Sequence, residues 1–345
     1  MLSKLFDVSD ALLVSRLQSQ GILLDPEEAL TQTYRPLLAA LMGCLPLQRT
    51  GILTYVCTER GKNQRMAGFA QVRMRRGRPE ADVIYLSPAP SVAQEATAIW
   101  GHLLENLCFE AGKQGVQRIF ARPPEDGPEA EVFQQAGFSI YAREDIFRLE
   151  RAPNRLPQPE GRTMRPQQAV DNWRLQELYA TIAPHLVQQT ESLASKWETS
   201  PGSWLLPAKR EGYVLEDKGE ILGYVQIREG QVGHWLEMLL HPEAYDMADE
   251  LVTQALALLA RFPLLPIYCC LRRYQGGLTA ALKAKGFQLF ASRCVMVKHT
   301  TVRIKEPALK LVPALEKGAE AATPMMNKTL SQGDSRGYAS IQGYR

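Results

Sequence analysis

The 345-residue chain has no C-x-x-C pair and no cysteine set against a histidine at zinc-ligand spacing, so the common structural-zinc and dithiol motifs are excluded. Its six cysteines, Cys44, Cys57, Cys108, Cys269, Cys270 and Cys294, lie mostly inside apolar runs and read as buried, reduced thiols. It also lacks a charge surplus. Lys and Arg total 40 against 37 Asp and Glu, a net +3 that is too mild to argue for a nucleic-acid or membrane partner. No apolar run is long enough to span a bilayer, because Pro46, Arg261, Pro263 and Pro266 break the best of them. The stretch through Lys4, Asp7 and Asp10 lacks the apolar core of a signal peptide. The expectation is a cytoplasmic protein without a metal. The one dense basic run, Arg73, Arg75, Arg76 and Arg78, reads as a solvated hairpin tip around Gly77 and Pro79, with a phosphate or acidic-partner site as the alternative.

What the chain does have is a second copy of itself. Gly223-Tyr-Val-Gln-Ile-Arg228 echoes Gly68-Phe-Ala-Gln-Val-Arg73, and each is followed by an apolar run ending in proline, at Pro242 and Pro88. Farther on, Ala284-Lys-Gly286-Phe287 answers Gln135-Ala-Gly137-Phe138. The offsets are 155, 154 and 149, so order and spacing hold within a few residues, as a diverged internal duplication requires. The length suits two domains of roughly 150 residues.

Taken in order, residues 8–20 carry apolar positions at helical spacing, and Asp25-Pro26-Glu27-Glu28 is a helix start with acids in its first turn. Residues 52–57 and 66–73 read as a hairpin, 83–86 as a third strand and 93–112 as an amphipathic helix. A buried strand is expected at 116–121, then a helix capped by Asp126 and stopped at Gly137, then two short strands at 138–141 and 146–149. Prolines between 153 and 159 mark a linker. Trp173, Leu175, Leu178 and Ile182 give a helix, and the polar segment 190–196 can give another. The hairpin then recurs at 212–216 and 221–228, the strand at 235–240, the helix at 249–261 and the buried strand at 267–271. A helix at 277–285 and two short strands at 287–290 and 295–297 complete the copy. Beyond about Pro307 the composition reads as a disordered tail, with room for one short helix at 308–316.

This order, with the strand-then-proline stretches at Leu86-Ser-Pro88 and Leu240-His-Pro242 and the two Gly-Phe pairs, resembles the GNAT superfamily of N-acetyltransferases in tandem. The resemblance implies an α+β fold of two GNAT-like domains, each a mixed, mostly antiparallel sheet flanked by helices. Their expected bounds are 1–150 and 161–305, with a linker at 151–160 and the disordered tail at 306–345. The first copy shows no clear opening strand. The resemblance also implies acetyl-CoA wedged where the sheet splays and a small-molecule or peptide amine as acceptor, while the charge balance and apolar-run lengths above speak against nucleic acid and membrane.

A diphosphate needs backbone N–H groups at the start of the helix after the fourth strand, where donors and helix dipole coincide. The family supplies a basic residue and close-set glycines there, and neither copy has them. In the second copy Glu243, Asp246, Asp249 and Glu250 stand in that place and would repel a diphosphate. The first copy is therefore the expected cofactor side, with Tyr85, Leu86, Ser87, Ser91 and Gly101 as candidate contacts. The position four before each Gly-Phe pair, where the family often carries a proton-donating tyrosine, holds Phe133 and Leu282, both expected in the core. Asp82 and Glu237 are candidate general bases on the fourth strand, or else solvated or salt-bridged strand residues. Tyr274 is a candidate proton donor, or a packing tyrosine with its hydroxyl at a rim. Three readings follow: an acetyltransferase, a pair of domains that binds without catalysis, or an assembly protein.

Overall fold

The computed structural model describes residues 2–44, 51–60, 65–93, 95–151, 163–191 and 210–300. The first half supplies strands β1 (Leu2–Leu5), β2 (Ile22–Leu23), β3 (Ile52–Arg60), β4 (Arg65–Met74), β5 (Glu80–Ser87), β6 (Arg118–Ala121) and β7 (Ser139–Leu149). Its helices are α1 (Ala11–Leu17), α2 (Pro26–Thr31), α3 (Pro36–Gly43), α4 (Ala96–Lys113) and α5 (Pro128–Gln135). The second half repeats the theme with β8 (Arg165–Pro166), α6 (Asp171–Ile182), α7 (His185–Thr190), β9 (Arg210–Asp217), β10 (Glu220–Arg228) and β11 (His234–Leu240). It ends with α8 (Ala248–Leu259), β12 (Ile267–Arg272), α9 (Gly277–Ala284) and β13 (Gln288–His299). The landmark glycines occupy matching places. Gly68 lies in β4 and Gly223 in β10, while Gly137 and Gly286 follow α5 and α9 with φ of +86° and +90°, a conformation glycine adopts without a Cβ clash.

Several local expectations need correction. The first half does have an opening strand, since β1 pairs with β3. Asp126 is not the cap of α5, whose N-cap is Gly127 with no side-chain bond. Trp173 points away from the core of its helix and is 67% exposed, whereas Leu175, Leu178 and Ile182 are buried. The basic run is not simply a solvated tip either: Arg73 is paired to Asp25 and Glu28, and Arg75 to Glu80 and Asp82. The linker, the segment from 192 onward of the polar stretch, and the C-terminal tail lie outside the described residues.

The largest difference concerns the ends of the two halves. Each pair of short strands expected there is one long strand, and the two are exchanged. β13, from the second half, pairs with β6 of the first, while β7, from the first, pairs with β12 of the second. β7 and β13 then run antiparallel to each other along nearly their whole length. The sheet is thus continuous in the order β1-β3-β4-β5-β6-β13-β7-β12-β11-β10-β9-β8, with β2 attached to β5. Packing explains the exchange. The apolar ends Phe147 and Leu149 of β7 enter the core beneath α8 and α9, and Cys294 and Met296 of β13 enter the core beneath α4 and α5.

α4 shows how the pattern positions these layers. Ile99, Trp100, Leu103, Leu104, Leu107 and Ala111 recur at three and four residues and all face the sheet. Phe109, on the other side, is 63% exposed beneath Lys113.

An acid-sensitive clasp ties the opening strand of the second half to its first helix. Both oxygens of the buried Asp171 accept from Arg165, at 2.7 and 2.8 Å, and one also accepts from the Gln168 amide. The Arg165 bonds hold its carboxyl below the usual aspartate range. Stability from a depressed carboxyl is present above its unfolded value, near 4, and is lost as pH falls through the folded one. Asp171→Asn should therefore destabilise most near neutrality, and the gap from the unaltered protein should narrow in urea melts run below about pH 4.

Candidate functional site

In each half the sheet splits at its fourth main strand. β5 and β6 stay paired only over Glu80↔Arg118, Ala81↔Ile119 and Asp82↔Phe120. β11 and β12 stay paired from His234↔Ile267 to Glu237↔Cys270. Asp82 and Glu237 are thus the last paired residues before each split. Past Asp82 the strand also bulges at Ile84, which bends it.

The edge of β5 freed by the split is already paired. β2 lies against it as Ile22↔Leu86 and Leu23↔Tyr85, and the Leu24 amide donates to Ile84 O at 2.8 Å. The chain before β2 continues along the same line. Tyr85 donates its hydroxyl to Gln18 O, Ser87 to Leu17 O, and the Ala89 amide to Gln20 O. Leu86 is buried in the core beneath α4. Ser91 is exposed on the turn before α4, and Gly101 lies in the second turn of the helix with open space where a Cβ would project. The amides nearby are largely spent on local turns: Val92 and Ala93 both donate to Ala89 O, and Ala96 donates to Ala93 O. Trp100 closes the base, its indole N–H donating to Pro88 O at 2.6 Å. Of the five candidate cofactor contacts, Tyr85, Leu86 and Ser87 lie on β5, Ser91 on the turn after it and Gly101 in α4, and the free edge of β5 carries β2.

The second split is bridged differently. Gln275, buried in the turn after β12, reaches across to donate its amide to Met238 O on β11 at 2.9 Å. Tyr245, from the turn before α8, covers Gly277 at the start of α9 so closely that a Cβ there would collide with its ring. Asp249 is paired to Lys285. The acids Glu243, Asp246 and Glu250 keep this helix start negative.

Asp82 holds Arg75 by two bonds of 2.7 and 2.6 Å, so its carboxylate is already engaged. Glu237 accepts from the Trp235 indole at 3.1 Å. Tyr274 packs beside Tyr179, and burial pushes its hydroxyl up to about 12. Phe133 and Leu282 are fully buried. Among the described residues, no three His, Cys, Asp or Glu side chains come together as a metal site.

The unusual chemistry sits instead where the halves meet. β13, β7 and β12 place Arg293 opposite Glu144 and Glu144 opposite Arg272, and directly opposed residues share a face. Arg122 follows the end of β6, with its carbonyl 2.9 Å from Arg293 Nη1, so the four residues form one row across the sheet. On the same side, Glu191 accepts from Arg272 at 2.9 Å, from Tyr141 at 2.8 Å and from Tyr179 at 2.6 Å. Burial, and after it Glu191, drives the Tyr141 hydroxyl well above its usual range. Glu144 is 1% exposed, yet its nearest cation, Arg272 Nε, is 3.6 Å away. Glu144 Oε1, Arg272 Nη1 and Arg293 Nε are buried with no hydrogen-bond partner. Each such atom costs on the order of 1–3 kcal/mol, so three in one place need a reason. Sequence reading missed Glu144 and Arg293 because charges in mid-strand read as a break between two strands, and Arg122 and Arg272 because they fall at strand ends.

No family model matches the sequence, and no curated relative is found by sequence. Solved structures do match the fold. An N-acetyltransferase of the GCN5-related type from Sphaerobacter thermophilus superposes with a TM-score of 0.52 at 13% identity, covering 86% of this chain and 95% of the other. A tandem GNAT protein from the clavulanic acid biosynthesis pathway gives 0.51 at 14% identity, over 86% of this chain and 98% of that one. The architecture of this chain is that of a tandem GNAT protein.

Proposed function

We propose that this protein is a tandem GNAT-fold binding protein in which acetyl transfer from acetyl-CoA has been lost. The observation that carries the reading is the pairing of residues 22–24 on the edge of β5, where a cofactor would have to lie. The Gln275 bridge and the acidic helix start in the second half support it from the other side. No helix among the described residues is long and apolar enough to cross a membrane.

A second reading keeps the enzyme: transfer of an acetyl group from acetyl-CoA to a small-molecule or peptide amine. It is favoured by the matched placement of Asp82 and Glu237 at the mouths of the two splits, where a general base would act.

Thermal melting separates the two. A ligand at a hundred times its dissociation constant stabilises the folded state by about 2.7 kcal/mol, which at this size moves Tm by several degrees. The binding reading expects no shift with millimolar acetyl-CoA and no acetylation across a panel of amines. A shift of several degrees, abolished by Ser91→Asp and kept by Asp246→Asn, would put a working diphosphate cradle in the first half and overturn it.

A further inference from the structure

The row of charge at the junction of the halves is used by neither split. Its parts come from four neighbouring strands: Arg122 after β6, Arg293 on β13, Glu144 on β7 and Arg272 on β12. Arg122 makes no hydrogen bond or ion pair of 4 Å or less through its guanidinium among the described residues, and Arg122 and Arg293 are each half-buried. Asp25 lies on this side too, but it is held at 2.8 Å by Arg73. Three guanidinium groups thus face Glu144 and Glu191, and beside them Arg73 is shared by Asp25 and Glu28.

From this arrangement we propose that the row formed by Arg122, Arg293, Glu144 and Arg272 binds a small carboxylic acid that also carries a hydrogen-bond donor, an α-amino or α-hydroxy acid. Arg293 Nε and Arg272 Nη1 are donors without acceptors, and the Arg122 fork stands beside them, so the ligand carboxylate has donors on more than one side. Glu144 Oε1 is an acceptor without a donor, and the ligand's ammonium or hydroxyl satisfies it. The ammonium or hydroxyl facing Glu144 sets such an acid apart from acetate, which has no donor to offer that oxygen. The site stands apart from the reading above, since it would serve a binding protein or the acceptor side of an enzyme alike.

The test uses the full chain, with melting curves and calorimetric titration against the protein amino acids, lactate and malate. Acetate and inorganic phosphate serve as single-function probes. At least one bifunctional acid should raise Tm at millimolar concentration and bind at least tenfold more tightly than acetate or phosphate. Arg122→Gln should weaken that acid at least tenfold, whereas Arg261→Gln, which lies outside the row, should leave its binding unchanged. Glu144→Gln should narrow the gap between the acid and acetate, by removing the charged acceptor for the ligand's donor. The proposal is overturned if no acid in the panel binds, if phosphate binds most tightly, or if binding survives Arg122→Gln intact. The acetyl-CoA melt is scored separately, so either idea can fail alone.

Discussion

Phe133→Ala is expected to cost about 3–5 kcal/mol of unfolding free energy, the range for removing a buried aromatic ring and leaving a cavity. Phe133 has no exposed surface and sits between α4 and β7, edge-on to Trp100 at 6.2 Å and to Phe138 at 5.0 Å. Trp100 is pinned by its bond to Pro88 O and cannot swing into the gap, so collapse around the cavity is limited. Urea unfolding at pH 7 measures the effect directly. Unchanged stability with altered ligand binding would mean that the ring faces a cleft. Leu282→Ala, at the matching place in the second half, should cost about 2–5 kcal/mol on the same grounds.

Arg272→Ala should be as damaging for a different reason. Arg272 is 9% exposed and is the cation for both Glu191 and Glu144. Removing it takes from Glu144 and Glu191 the cation they share in a low-dielectric setting, and breaking one side of a buried ion pair costs about 3–5 kcal/mol. Arg261→Ala is the control. That side chain is 47% exposed and pairs with Glu211 at the surface, where an ion pair contributes about 1 kcal/mol or less. Equal losses from the two variants in denaturant melts would show that the Arg272 cluster is not energetically special.

Much of this fold was readable from periodicity. The hairpins, the helix after each strand-proline stretch and the core positions Phe133 and Leu282 follow from apolar spacing, and the duplication follows from repeated Gly-Phe and strand motifs. Three things escaped. β1 has only four residues, Leu2–Leu5, and pairs with a partner some fifty residues on, which no local pattern reveals. β2 is two residues long and draws its role from long-range pairing. The runs 143–145 and 291–294 were split into separate strands because Arg143-Glu144-Asp145 and Ser292-Arg293 look like turn residues. Two of these charges have a charged or polar residue opposite them across the join, Glu144 against Arg293 and Asp145 against Ser292. Asp82 and Glu237, candidates from the resemblance, are the last paired residues before the two splits. What could not be read was that β2, Gln275 and Tyr245 occupy those splits, since occupancy depends on tertiary contact.

The exchange of β7 and β13 says something about origin. Two protomers that trade their last strands around a two-fold axis make a closed, self-complementary dimer, and joining them end to end yields the topology of this single chain. In such a dimer one residue type must face its own copy across the axis, so a charge there would oppose a like charge. In this chain the axis passes between Glu144 and Arg293, which share the same place 149 residues apart, as Gly137 and Gly286 do. Only after duplication could one copy carry a carboxylate and the other a guanidinium. Fusion thus freed the centre of the sheet from symmetry and let a pair of opposite charges evolve there.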